Sequence, residues 1–347
     1  MLERLFSLLS QDIGIDLGTA NTLVYAKDKG IIINEPSVVA INTRTKQVLA
    51  IGDEARRMVG RTPANIVATR PLVDGVISDF EVTEHMLRYF INKANQGRFH
   101  VISRPRVVIG LPYNVTEVER RAVEEAALNA GARSVFLVEE PIAAAIGARL
   151  PIQDPAGSMI VDIGGGTTEI AVISLGGIVA SRSLRIAGDE LNEAIISHAR
   201  DKFSLMLGEK TAEEIKIKLG SAIEMRQKNR FTMRGRDLVT GLPKEIIITD
   251  DDMRVALHKP VMSIIDAVKA TIEETPPELV ADIMTKGIVL SGGGALLRGL
   301  DILISQATET KVHLAADPLT CVVRGIGFIL EDISNLKEIL LPTEFVK

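Results

Sequence analysis

Residues 12–22 read DIGIDLGTANT and residues 159–169 read MIVDIGGGTTE. In the first, Ile13, Ile15 and Leu17 alternate, Asp16 closes the run, Gly18 breaks it, and Leu23–Tyr25 resume it, which is the pattern of a strand, a tight turn and a second strand. The second stretch repeats the pattern. Placing Asp16 on Asp162 aligns DLGTANT with DIGGGTT across 146 residues.

The flanks repeat as well. Residues 29–41 continue as strand, with Pro36 as punctuation. A polar region punctuated by Pro and Gly follows to about residue 80. Residues 81–93 place Met86, Leu87, Phe90 and Ile91 on one helical face, and VVIGLP (107–112) reads as a buried strand. Over 116–129 the pattern is a helix, with a Thr116–Glu119 capping box and Gly131 as its C-terminal stop. With VFLVEE (135–140) as the next strand, this makes a βαβ unit and a partly parallel sheet. From residue 157 a strand, glycine turn and strand return, then IVASRSLRI and a helix over 188–203. Helices are expected over 212–227 and 251–275, GIVLSGGGALLRG reads as a strand entering a helix, and a helix over 320–333 closes the chain. The expected fold class is α/β, built as two related lobes.

Composition narrows the function. The 347 residues are 46% hydrophobic and 24% charged with a net charge of -5, which suits a globular chain of two lobes. Aromatics are 3% and no Lys/Arg cluster interleaves with them, so nucleic acid is not an expected partner. The single cysteine, Cys321, reads as a packing residue in a reducing compartment. No run reaches the ~18–20 apolar residues of a membrane span, and no signal peptide is evident, so the chain is expected in the cytoplasm.

A polyphosphate is best held by backbone N–H groups, which glycines allow to approach closely. Gly18, Thr19, Ala20 and Asn21 form one such donor set, and Gly164, Gly165, Gly166 and Thr167 the other. Asp16 and Asp162, repelled by phosphate, suit a Mg²⁺ ion held through water. Taken singly, each hairpin also reads as an ordinary turn capped by aspartate. No GxxxxGK[ST] occurs, which excludes a P-loop, and no GxGxxG stands in the dinucleotide context. Gly292, Gly293, Gly294 and Ala295, in SGGGA, could lie against a base or ribose. Glu213 and Lys216 could reach a ribose or form a solvated i,i+3 pair. Glu140, placed at a strand end just before Pro141, is the candidate for orienting a hydrolytic water, with Thr167 as a second group.

With these residues assembled, the sequence resembles the actin, Hsp70 and sugar-kinase ATPase superfamily, and within it the MreB family of bacterial actins. DIGIDLGTANT matches the first phosphate motif, EEPIAAAIG the first connecting motif and DIGGGTTEIAV the second phosphate motif. GIVLSGGGALLRG matches the adenosine motif, and DPLTCVVRGIG resembles the second connecting helix. The resemblance implies four subdomains around a nucleotide cleft: IA (1–34, 76–147, 321–347), IB (35–75), IIA (148–185, 250–320) and IIB (186–249). It implies ATP/ADP with Mg²⁺ near Asp16 and Asp162, and Glu140 with Thr167 directing water for slow hydrolysis coupled to polymerisation. Paired antiparallel filaments on the inner face of the cytoplasmic membrane are implied too, setting rod shape with MreC, MreD, RodZ and the cell-wall elongation enzymes. The alternatives in the superfamily are an Hsp70-like chaperone ATPase domain, for which the length leaves no peptide-binding domain, and a sugar kinase, for which no sugar pocket or aspartate base is evident.

Two stretches bear on the membrane. In MLERLFSLLS, Leu2, Leu5, Phe6 and Leu9 share one helical face, which suits either an interfacial helix or docking on the protein's own body. In GRFHVIS, Phe99, Val101 and Ile102 match the position of the family's hydrophobic loop, with Arg98, Arg104 and Arg106 suited to anionic lipid; the other reading is the start of the next strand.

Overall fold

The computed structural model describes residues 11–95 and 104–342. Leu2, Leu5, Phe6, Leu9, Phe99, Val101 and Ile102 lie outside the described residues. The chain divides into two compact units, the first made of the described residues of Met1–Ala156, Ile173–Val179 and Leu319–Lys347, the second of Gly157–Val172 and Ala180–Pro318.

In the first unit, β1 (Ile13–Leu17), β2 (Asn21–Ala26) and β3 (Gly30–Pro36) form the expected meander. The stretch to residue 80, read as a polar region punctuated by Pro and Gly, contains a small sheet of β4 (Val39–Asn42), β5 (Val48–Ile51) and β6 (Ile66–Thr69) with the short helix α1 (Asp53–Met58). A two-stranded hairpin, β7 (Leu72–Val73) and β8 (Val76–Ile77), precedes α2 (Phe80–Ala94). Then come β9 (Arg106–Leu111), α3 (Glu117–Asn129), β10 (Ser134–Glu139) and α4 (Glu140–Gly147). Thr116 caps α3 in the capping box read from the sequence. The main sheet runs β19-β10-β9-β1-β2-β3, with β1, β9 and β10 parallel; β19 is Leu340–Leu341. Ile13, Ile15, Val107, Ile109 and Leu137 are fully buried in it, as expected of strands covered on both faces.

The second unit contains β11 (Ser158–Ile163), and β12 (Thr168–Ser174) and β13 (Gly177–Leu184) extend its sheet. Next are α5 (Gly188–Phe203), β14 (Leu205–Met206), α6 (Glu209–Leu219), β15 (Arg230–Asp237), β16 (Pro243–Thr249), α7 (Asp250–Glu274) and α8 (Pro277–Lys286). β17 (Ile288–Ser291), α9 (Leu300–Thr308) and β18 (Val312–Leu314) complete it. Its sheet order, β13-β12-β11-β17-β18, has the same connectivity as β3-β2-β1-β9-β10. The duplication inferred from the two aspartate-glycine turns is therefore a duplication of topology.

Two expectations need correcting. The helix expected over 212–227 stops at Leu219, because Arg298 Nε donates to the Gly220 carbonyl (2.9 Å) and the Ala222 amide donates to the Arg298 carbonyl (2.8 Å), drawing the chain off the helical path. SGGGA enters a 3₁₀ turn, Gly293–Leu296, and the helix begins only at Leu300.

The last helix, α10 (Cys321–Glu331), returns to the first unit and lies against α4. A Cβ on Gly147 would collide with the Cys321 carbonyl, and one on Gly325 would collide with the Ala143 carbonyl. The backbones meet where neither helix has a side chain. Ile326 of α10 then fills the space left by Gly14 on β1 and Gly110 on β9. Cys321 is buried, as its packing role required.

Gly325→Ala is expected to cost at least about 2 kcal/mol, because overpacking against backbone cannot be relieved by a rotamer change. Gly208→Ala, at the N-cap of α6 with φ −89° and nothing within 4 Å, should cost no more than about 1 kcal/mol. Urea unfolding of the two variants measures the contrast.

Candidate functional site

Each unit presents its candidate residues at the C-terminal ends of its parallel strands, the edge where ligands bind in α/β folds. In the first unit, Asp16 is the penultimate residue of β1, paired with Leu23, and is half-buried. Gly18, Thr19 and Ala20 make the turn, and exposed Asn21 begins β2. A Cβ on Gly18 would lie 2.6 Å from the Asn21 carbonyl oxygen, so the tightness of this turn requires glycine. Glu140 is the first residue of α4, one position beyond the strand end expected for it. It is 8% exposed, and Gly110 of β9 leaves the room its side chain occupies: a Cβ there would stand 3.3 Å from Glu140 Cγ.

Sequence reasoning missed two supports of this turn. Thr19, buried, accepts a hydrogen bond at Oγ1 from the Gly75 amide (3.0 Å), at the tip of the β7–β8 hairpin where Asp74 and Gly75 both have positive φ. Ser37, fully buried just after β3, donates from Oγ to the Gly18 carbonyl (2.6 Å). The only trace of either was punctuation: Asp-Gly at 74–75 and Pro-Ser at 36–37.

In the second unit the separate motifs converge. Asp162 pairs in register with Ser291, so the second phosphate turn and SGGGA leave adjacent strand ends. Gly292, with φ +80°, and Gly294 both lie against Ile163, where any side chain would collide. Ala295 is buried in the core, so its side chain serves packing. Thr167 is buried, and its carbonyl accepts from the Gly164 amide (2.9 Å). The start of α5 closes on this turn: Gly188 N–H donates to the Gly164 carbonyl (3.1 Å) and Asp189 N–H to the Gly165 carbonyl (2.8 Å). Lys216, from α6, donates to the Gly188 carbonyl (2.7 Å), which brings its ammonium beside the turn. Glu213 lies one helical turn earlier on α6 and is half-buried.

The turns share an electrostatic property. Among the described residues, the amides of Thr19 and Ala20 in one and of Gly165, Gly166 and Thr167 in the other donate to no protein acceptor. Asp162 Oδ1 is buried and makes no hydrogen bond among the described residues, and the Ser291 hydroxyl is in the same condition. A buried carboxylate oxygen without a donor fits the water shell of a hard cation, and oxygen donors suit Mg²⁺. Among the described residues no group of three or more His, Cys, Asp or Glu is placed to hold a metal ion, so Mg²⁺ here would draw the rest of its shell from water and phosphate.

Arg106, considered from sequence as a lipid-facing cation, is committed elsewhere. Its amide and guanidinium grip the Asp12 carboxylate at 2.6–3.0 Å, tying β9 to the start of β1. No helix among the described residues is long and apolar enough to cross a membrane.

The MreB/Mbl protein family matches residues 10–338. The chain belongs to the MreB/Mbl family. Relatives of this MreB/Mbl chain include the cell shape-determining protein Mbl of Bacillus cereus, 51% identical over 329 residues and covering 95% of this chain and 98% of that one. The cell shape-determining protein MreB of Escherichia coli is 51% identical over 337 residues, with coverages of 96% and 97%. Among solved structures, MreB 5 of Spiroplasma citri bound to AMPPNP is similar with a TM-score of 0.90 and 38% identity, covering 95% of this chain and 98% of that one. A MamK double helical filament shares the fold alone, with a TM-score of 0.79 at 24% identity over 93% and 99% of the two chains. The fold is the expected actin-like one, and the family match disfavours the chaperone and sugar-kinase alternatives.

Burial pushes the Asp162 carboxyl from 3.8 up to about 6. A raised folded-state value favours the protonated form, so this contribution to stability is present below about pH 4 and lost as pH rises through 6. Asp162→Asn should therefore stabilise the ligand-free MreB/Mbl protein by up to about 3 kcal/mol at pH 7.5, narrowing to roughly half at pH 5. Urea unfolding at the two pH values checks the sign.

Proposed function

We propose that this chain is a Mg²⁺-dependent ATPase whose nucleotide cycle drives assembly into filaments that help set rod cell shape. The observation that carries the reading is the pair of strand-end turns in which, among the described residues, the amides of Thr19, Ala20, Gly165, Gly166 and Thr167 donate to no protein acceptor. A row of such donors suits a polyanion. The similarity to a solved MreB 5 described as bound to AMPPNP supports it, as do relatives named as cell shape-determining proteins.

In this reading Gly18, Thr19, Ala20 and Asn21 contact phosphate from the first unit, and Gly164, Gly165, Gly166 and Thr167 from the second. Glu213 and Lys216 face the ribose, and Gly292, Gly293 and Gly294 give the base a flat backbone surface. Asp16 and Asp162 hold Mg²⁺ through water; when bound, it supplies charge neutralisation at the phosphates. Glu140 orients the attacking water and takes its proton, with the Thr167 hydroxyl as second anchor. The three-stranded sheets β4–β6 and β14–β16 support reading residues 35–75 and 186–249 as subdomains IB and IIB. The family resemblance supports a place on the inner face of the cytoplasmic membrane, through residues 1–10 and 99–102, alongside MreC, MreD and RodZ.

Glu140→Ala should retain ATP binding and lower phosphate release by about a hundredfold or more. Asp162→Ala should remove the magnesium dependence of binding. Wild-type protein with Mg-ATP should scatter light in proportion to polymer formed. If the wild type fails to bind ATP the reading falls, and if Glu140→Ala releases phosphate at the wild-type rate that residue loses its role.

A further inference from the structure

Ser37 belongs to none of the motifs that identify the family site, yet it holds more of the first phosphate turn than any residue within that turn. Its hydroxyl, fully buried, donates to the Gly18 carbonyl (2.6 Å) and lies 2.8 Å from Thr22 Oγ1. Since the hydroxyl has one proton and gives it to Gly18, it accepts from Thr22, which is also fully buried. Its backbone amide donates to the Ala20 carbonyl (3.1 Å). One residue thus binds two carbonyls of a three-residue turn.

The consequence follows from the planarity of the peptide group. In a trans peptide the C=O of one residue and the N–H of the next point in opposite directions. Fixing the Gly18 carbonyl toward Ser37 turns the Thr19 N–H away from it, and fixing the Ala20 carbonyl does the same for the Asn21 N–H. The second unit reaches the same end by another route. There the amides of Gly188 and Asp189 bind the carbonyls of Gly164 and Gly165, which turns the Gly165 and Gly166 N–H groups outward. Thr19, Gly165 and Gly166 are among the amides that, among the described residues, have no protein acceptor.

We propose that Ser37 is a positioning residue for nucleotide phosphates: its hydroxyl, oriented by Thr22, locks the Gly18–Thr19 peptide so that the Thr19 amide faces the polyphosphate. The proposal rests on the reading of this turn as a phosphate site. Without the hydroxyl, the Gly18 carbonyl loses its partner and the peptide can rotate, placing a carbonyl oxygen where the anion needs a donor. The fault would be felt by phosphates and not by the base or ribose.

The test is equilibrium competition binding of Mg-ATP, Mg-ADP and adenosine to the full chain and to Ser37→Ala, together with thermal unfolding of the ligand-free proteins. Ser37→Ala is expected to weaken ATP and ADP by about tenfold or more, the effect of a lost hydrogen bond plus a buried unpaired carbonyl, and to leave adenosine unchanged. Unchanged ATP affinity overturns the proposal. Equal losses for ATP and adenosine overturn it too, since they mark a general structural defect. Should Ser37→Ala not fold, Ser37→Cys keeps the volume with a poor donor and reads the same ratio, while Thr22→Val removes the group that orients the hydroxyl and should give a smaller loss confined to the phosphate ligands. If the wild type binds adenosine but not ATP, the phosphate reading itself fails.

Discussion

The first unit is organised around a contact between two backbones. Where α4 crosses α10, Gly147 receives the Cys321 carbonyl and Gly325 receives the Ala143 carbonyl, so the helices approach as closely as polypeptide permits. Packing at that distance has no tolerance for an added methyl group. It fixes the height of α10 above the sheet, where Ile326 settles between Gly14 and Gly110. Gly110 in turn leaves space for Glu140, the residue that opens α4. The proposed water-orienting carboxylate is therefore positioned by a chain of missing side chains.

The second unit solves a comparable problem with hydrogen bonds. Its phosphate turn, its adenosine-type loop and the start of α5 meet at the ends of β11 and β17, and the groups holding them together are main-chain carbonyls and amides plus the ammonium of Lys216. Glycine recurs because backbone is packed on backbone, as where Gly292 and Gly294 press on Ile163. Asp162 carries the cost of this arrangement, as its carboxylate is buried and, among the described residues, no protein donor reaches Oδ1.

The features legible in the sequence were those with a local cause. Apolar alternation broken by Asp-Leu-Gly or Asp-Ile-Gly marked both hairpins, the Thr116–Glu119 pair marked the start of α3, and the bounds of α5 agree residue for residue with expectation. What escaped was set by distant parts of the chain. Strands β4 to β6 are four residues each and carry too little pattern to stand out. The segment after Gly220 is rich in helix formers, yet Arg298, far along the chain, takes its hydrogen bonds. In the candidate site the charged residues and glycines were visible as motif members. Ser37 and Gly75 were not, because bracing the Gly18 carbonyl or the Thr19 hydroxyl from a distant segment leaves only turn punctuation at the bracing position.

The order of segments in the chain has a consequence for biosynthesis. The second unit is almost continuous, whereas the first needs α10, which is supplied from residues 319–347. A ribosome emits the N-terminal end first, so β1, β9 and α4 emerge long before the helix that covers them. Until then the places that Ile326 and the Cys321 carbonyl occupy against Gly14, Gly110 and Gly147 have no partner from α10. Completion of the first lobe therefore waits until residues 321–331 have been synthesised.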